Sequence, residues 1–430
     1  MTRLWAERLL DTLTPEERAR AERVESVLPA LAAAAAQADL TATFPASHVR
    51  LLADAGLMGL VVPTDHGGLG GGLRDLAAAC FAMGSQCAST ALAYFFHCSS
   101  ASRGLLPLEA IEAGLFTDEE VPVVRAFAER VLELMGRDGR WLANFASESV
   151  KTAGAAITIA TEATPVEGGW RINGTKSFGC ATGVADNYLV TARLAGHETA
   201  DGLALFIVGR DAAGVSERQA WDGIGMRATA NHGIVLKDVF VAADDALAVP
   251  GAFVRMMQVS RGSFVGNQLA VTAVYVGIAQ RLFDLALEQT SKARFADTGA
   301  AIASSPMHQV LFGEMSMHME QAYLWLRRQL ELETSEPELR PKADVVRQWR
   351  IAKGSVCEES FAVGVLALKA CGTSGTANSG VLARGLRDLT MGLVQAFPAE
   401  RGRLESAHIL VSAQETTQFA GMTAPGPGGA

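Results

Sequence analysis

The chain has 430 residues, 49% of them apolar, 19% charged and 7% aromatic, with a net charge of −9. That length and apolar share allow a large core in two or three domains, and they exclude a disordered chain, which needs more Pro, Ser and charge. A nucleic-acid binder needs clustered Lys and Arg to displace counterions, and here the basic residues are scattered, so nucleic acid is not an expected partner.

The first residues, Met1 to Arg8, carry charges where a secretion signal needs an apolar core. No uncharged apolar run reaches the ~20 residues of a membrane span, so no membrane partner is expected. From Pro15 to about Leu142 the apolar spacing is helical: Val24, Leu28 and Leu31, then Leu51, Leu52 and Leu57. Pro63 and the glycines between Gly67 and Gly72 interrupt it as a turn. Cys80 to Leu105 is nearly all apolar and predicts one buried helix. Thr117-Asp118-Glu119-Glu120 predicts a capping box for another helix, through Met135. Leu106 to Trp141 reads as a helical insert at a cavity mouth.

The period changes to strands between Ile157 and Val241, in short runs separated by turn residues. Asn173-Gly174 predicts a hairpin, because both residues tolerate positive φ. Helical spacing returns from Val254, in long segments at 254–293, 307–334 and 342–370 and again from Leu386. The tail from Thr423 has no core-forming residues. Six cysteines (Cys80, Cys87, Cys98, Cys180, Cys357, Cys371) form no CxxC pair, so neither a zinc site nor a disulfide framework is expected, and the chain reads as a reduced cytoplasmic protein.

Several strings resemble the acyl-CoA dehydrogenase superfamily, in the same order and at about the same separations. They are Ile172-Asn173-Gly174-Thr175-Lys176, then Gly225-Met226-Arg227 followed by the strand to Val241, then Gly277-Ile278-Ala279-Gln280-Arg281, then Arg387-Asp388. The resemblance implies an α+β, acyl-CoA dehydrogenase-like fold. It has an N-terminal helical domain at 1–145, a central β-barrel or sandwich domain at 146–252 and a C-terminal four-helix bundle at 253–430. It also implies bound FAD, a homodimer or homotetramer, and a small-molecule or CoA- or carrier-bound acyl substrate. A flavin reductase or an electron-transfer partner would complete the cycle.

The resemblance also assigns positions. Ser147 becomes a donor to the flavin ring, and Ser149 and Thr152 lie near the pyrophosphate. Phe178 packs on the isoalloxazine, with Cys180 near N5. Arg294 approaches the pyrophosphate, from a neighbouring subunit, while Lys369 and Gly372 stand at the adenosine end. Read from the residues alone, Phe178 and Cys180 are equally core fillers, the serines turn formers and Arg294 a solvated charge.

The family's usual base is a Glu that takes an α-proton while hydride leaves for the flavin. Its two family positions fall on Ala396 and Asn267, and neither side chain can take a proton. Substitute candidates are Glu400, four residues beyond Ala396, and His97 on the apolar stretch Ala91 to Ser100, with His408 behind them. Three readings follow. One is oxidation of an acyl thioester with an atypical base. Another is a reduced-flavin, O₂-dependent monooxygenase or tailoring enzyme, for which His97 and Ser100 would serve the site and to which Trp221 to Thr229 bears some resemblance. The last is a non-catalytic member.

Overall fold

The computed structural model describes residues 3–149, 159–260 and 269–412, so the expectations for Thr152 and Asn267 lie outside the described residues. Helices α1 (Ala6–Leu9) and α2 (Pro15–Thr41) open the chain. α2 starts at a capping box: Thr14 Oγ1 accepts from the Glu17 amide at 3.2 Å and Glu17 accepts from the Thr14 amide at 2.9 Å. Then come α3 (Ser47–Asp54), α4 (Leu73–Gly84), α5 (Ala88–Ser99), α6 (Ser102–Glu112) and α7 (Val121–Gly136). The box ahead of α7 forms as expected, with Thr117 and Glu120 bonding reciprocally at 3.0 and 3.3 Å. The single helix expected over Cys80–Leu105 is instead parts of α4, α5 and α6. At the breaks, Ser85 and Ser100 turn their hydroxyls back onto the Ala82 and Phe96 carbonyls, which competes with helix continuation.

The middle of the chain is one eight-stranded sheet. Its strands are β1 (Leu142–Phe145), β2 (Glu162–Val166), β3 (Gly169–Lys176), β4 (Asn187–Leu194), β5 (Leu203–Gly209), β6 (Val215–Glu217), β7 (Ile234–Ala242) and β8 (Ala246–Leu247). They run in the order β6-β7-β3-β2-β4-β5-β8, with β1 beside β4. The pairs are antiparallel except for β1–β4 and β2–β4. Asn173-Gly174 does not turn the chain. The β2–β3 turn is Glu167-Gly168, where Gly168 has φ +75°. Asn173 and Gly174 instead mark a bulge inside β3: a Cβ on Gly174 would overlap Thr161, and Asn173 Oδ1 accepts from the Asp238 amide at 2.8 Å.

The last third holds α8 (Ala252–Gln258), α9 (Leu269–Lys292), α10 (Pro306–Thr334), α11 (Lys342–Cys371), α12 (Val381–Gly392) and α13 (Ala399–Ser412). The apolar helix α9 joins this bundle to the N-terminal helices. Glycines allow the contact, since a Cβ on Gly84 would lie 2.6 Å from the Val274 carbonyl oxygen and one on Gly277 2.1 Å from that of Phe81.

All three regions meet at the loop Gly223–Thr229. The Met226 amide donates to Asp388 Oδ1 at 2.6 Å and the Ala228 amide donates to Ser89 Oγ at 3.2 Å. Arg227 Nε donates to the Asp39 carbonyl at 3.1 Å, and both Arg387 terminal nitrogens bind the Asp39 carboxylate. Gly225 must be glycine here, because a Cβ would lie 2.1 Å from the Arg387 carbonyl.

Burial pushes the Asp388 carboxyl up from 3.8 to about 7, although the Met226 amide favours its charged form. A raised folded value gives stability that is full below the unfolded value and lost as pH rises through the folded one. Asp388→Asn keeps a carbonyl acceptor and removes the titration. The thermal midpoint of the variant relative to wild type should therefore rise between about pH 4 and about pH 7. A difference that stays constant across that window would assign the titration elsewhere.

Candidate active site

The wall of the site is set by a buried ion pair. Lys176 Nζ, at the end of β3, lies 2.7 Å from Glu148 Oε1, and both side chains are buried. Glu148 also accepts from Thr161 Oγ1 at 2.7 Å, from the Thr161 amide at 3.0 Å and from the Ala160 amide at 2.7 Å. Lys176 donates a second bond to the Ala146 carbonyl at 3.3 Å. Burial pushes the Glu148 carboxyl up, but the Lys176 charge and the Thr161 bonds outweigh it and hold it below 4.5. Burial lowers Lys176 to about 8, with Glu148 working against that fall. A buried pair survives only when its remaining donors and lone pairs are satisfied, and this one meets the condition.

The pair pins residues 146–149 against the segment after β3. The Ser177 amide donates to the Ser147 carbonyl at 2.9 Å, and the Ser149 and Ser177 hydroxyls are 2.5 Å apart. Ser147 and Ser149 are thereby left exposed next to Phe178. Phe178 is 43% exposed and Trp221 42%, and their rings meet edge to face at 5.4 Å. Cys180 is covered by the fold, and burial raises its thiol to about 12. It presents almost no surface to a ligand and is no thiolate. An uncovered aromatic platform flanked by neutral hydroxyls is the surface a flavin ring needs, with one apolar face and hydrogen-bonding groups along an edge.

A second element belongs to the C-terminal helices. Lys353 is fully buried and donates to the Gly392 carbonyl at 2.8 Å and the Phe397 carbonyl at 2.6 Å. It thus ties both ends of the loop that carries Ala396. Ala396 itself has φ +64°, and the Phe397 amide donates to the Gln395 carbonyl at 2.9 Å, closing a γ-turn. Tyr275 packs its ring on Gly392 and lies within electrostatic reach of Cys180 and Asp388.

The other expected residues do not converge on this place. His97 is a core residue and not a base: its ring packs beside Tyr94 and Trp141, Nδ1 accepts from the Leu142 amide at 3.0 Å, and Nε2 donates to the Met58 carbonyl at 2.9 Å. Burial lowers it to about 4, and both nitrogens are committed to backbone. Ser100 is equally buried and gives its hydroxyl to the Phe96 carbonyl at 3.2 Å. Glu400 is exposed on the first turn of α13, which begins directly after Pro398, and His408 is exposed further along that helix. Arg294 is exposed in the turn after α9, and Lys369 and Gly372 are exposed at the C-terminal end of α11. His308 Nε2 bonds the Ala370 carbonyl at 3.2 Å, so these residues share one end of the bundle.

Glu148 and Lys353 escaped the sequence reading, and Lys176, Trp221 and Asp388 stood in its strings with no role given to their side chains. Lys176 ends β3 and Glu148 follows β1 by three residues, so a lysine closing a strand and an acid just past another were the available signal. Lys353 carried none, being one lysine in a long helix.

Three domain descriptions of one family match the chain in order: acyl-CoA dehydrogenase N-terminal domain over residues 14–107, middle domain over 145–239 and C-terminal domain over 269–397. The chain belongs to the acyl-CoA dehydrogenase superfamily and is a flavin-dependent oxidoreductase. It is 33% identical over 276 residues to L-evernosamine nitrososynthase of a Micromonospora species, a match covering 64% of this chain and 62% of that protein. It is 27% identical over 381 residues to a putative acyl-CoA dehydrogenase of Bacillus subtilis, covering 88% and 93%. Among solved structures, KijD3 in complex with FMN and dTDP-3-amino-2,3,6-trideoxy-4-keto-3-methyl-D-glucose superposes with a TM-score of 0.77 at 25% identity, covering 95% of this chain and 96% of that one.

Phe178→Ala tests the platform. As a surface change it should alter stability by less than ~0.5 kcal/mol. It should weaken flavin retention about tenfold, equivalent to ~1.4 kcal/mol of stacking. Unchanged flavin affinity by fluorescence titration would remove Phe178 from the site.

Proposed function

We propose that this protein is a reduced-flavin, O₂-dependent oxygenase that tailors an amine-bearing substrate. The observation that supports it most is the Lys353-tied loop. The family's desaturation chemistry needs a carboxylate within hydrogen-bond reach of the substrate α-carbon. At that place the loop offers Ala396 in a γ-turn, and the next acid, Glu400, is exposed on α13. Oxygen transfer to an amine needs no such base, because the nucleophile is the substrate nitrogen. The similarity to a nitrososynthase and to a flavin enzyme holding an amino-sugar nucleotide points the same way.

In this reading Phe178 and Trp221 take one face of the ring, and the hydroxyls of Ser147 and Ser149 meet its polar edge. The Glu148–Lys176 pair fixes the strand ends that carry them, and Lys353 fixes the opposing loop. Bound in reduced form, the flavin supplies the two electrons that let O₂ deliver one oxygen atom to substrate and release the other as water. We further propose FAD as the flavin, since Arg294 and Lys369 stand exposed at one end of the bundle, available to a pyrophosphate. Flavin released by heating the purified protein should run as FAD on chromatography, and FMN alone would overturn that part.

The reaction is tested by supplying an NADH-dependent flavin reductase, air and a dTDP-linked 3-amino sugar. The expected result is O₂ uptake with product gaining oxygen mass, strictly dependent on the reductase. Anaerobic bleaching of the bound flavin by butyryl-CoA, with no amine oxidation, would instead establish acyl-thioester desaturation.

A further inference from the structure

Trp221 stands on a loop, residues 218–233, that leaves β6 at Glu217 and returns at Ile234 of β7, where the two strands pair. Ordering a ring on such a loop costs backbone entropy, so something must pin the chain beside it. Two bonds cross the stem. The Arg218 amide donates to the Gly233 carbonyl at 3.1 Å, and the Trp221 amide donates to His232 Nδ1 at 3.4 Å. The second holds Trp221 itself. Beyond it the indole has little freedom, since a Cβ on Gly223 would lie 2.5 Å from Trp221 Nε1 and the Phe178 ring centre is 5.4 Å away.

The imidazole is largely enclosed, with 16% of its side chain exposed. Accepting at Nδ1 fixes the neutral tautomer that carries its proton on Nε2, and Nε2 lies 3.9 Å from Glu217 Oε2. We infer that His232 is a positioning residue of the flavin site: its neutral ring clips the Trp221 backbone in place, and a second proton, on Nδ1, opens the clip. A protonated Nδ1 is a donor facing another donor, so the bond is lost and the two N–H groups repel. This role rests on Phe178 and Trp221 being the flavin platform, and it makes flavin retention depend on pH.

The charged groups nearby set the direction of the titration. Glu217 faces Nε2 and favours the imidazolium, but burial counts for more and holds the ring below its ordinary 6.5. Arg218 is turned to the Ser177 carbonyl, to which Nη1 donates at 3.4 Å, and Asp222 is taken by Arg227 at 2.7 Å. The Tyr188 hydroxyl accepts from the Gly183 amide at 2.8 Å, and Lys176 is spent on Glu148. With the folded value lowered, the clip is closed above pH 6.5 and is lost as pH falls through that lower value.

Fluorine NMR of the flavin-free protein labelled with 5-fluorotryptophan reads the clip, with the Trp221 signal assigned by Trp221→Phe. Fluorescence titration with FAD and with FMN reads flavin retention. His232→Asn keeps an acceptor, Oδ1, where Nδ1 stands and removes the titration, whereas His232→Leu keeps bulk and removes the acceptor. Comparisons are made at equal pH, so that titration of the flavin itself cancels. Between about pH 7.5 and about pH 5 the Trp221 signal should move in wild type and stay in both variants. Over the same range flavin affinity should fall about threefold in wild type, to the level that the Leu variant shows throughout. The Asn variant should stay tight at both ends. A wild-type Trp221 signal unchanged by pH would overturn the proposal, as would an Asn variant that behaves like the Leu one. A Trp221 signal that moves as expected, with flavin affinity indifferent to pH and to both substitutions, would keep the clip and remove the platform.

Discussion

A single short loop holds three separately built regions in one arrangement. Gly223–Thr229 leaves the sheet, presents the Met226 amide to Asp388 and the Ala228 amide to Ser89, and sends Arg227 to the carbonyl of Asp39. Asp39 in turn binds Arg387 with both carboxylate oxygens. Each bond alone is worth little in water, but these groups are partly or fully buried, where an unmade bond costs more than a made one gains. The positions of Phe178 and the Ala396 loop relative to one another follow from that junction.

The chemistry follows from what faces the cleft. One wall is aromatic and hydroxylic, fixed from behind by a saturated ion pair. The other is a loop tied by a buried lysine and bent at alanine. A site of that kind could hold and orient a flavin, and the described loop carries alanine at 396 and no proton acceptor. Under the proposed function the same scaffold would support a different oxidation by losing one carboxylate, which is how folds commonly host several reactions.

Much of the architecture was legible in the residues. The change from period 3.6 to period 2 and back marked the helical, strand and helical regions, and the Thr117–Glu120 box formed as written. Ser147 and Ser149, far from Phe178 in the chain, are tied to its neighbour Ser177 by hydrogen bonds. Other features depended on tertiary context. Asn173-Gly174 has the chemistry of a turn, yet it bulges inside β3 because Thr161 and Asp238 claim it from across the sheet. His97 has the chemistry of a base, yet two backbone groups consume its ring.

The central claim is that a flavin ring covers the Phe178 platform in a cleft set by the Gly223–Thr229 junction. Hydrogen exchange by mass spectrometry, run with the protein free and saturated with flavin, tests it directly. Peptides spanning 225–229 should be slow to exchange in both states, and those spanning 145–149 and 177–180 should slow when flavin is added. Rapid exchange at 225–229, or flavin protection confined to segments elsewhere in the chain, would contradict the account.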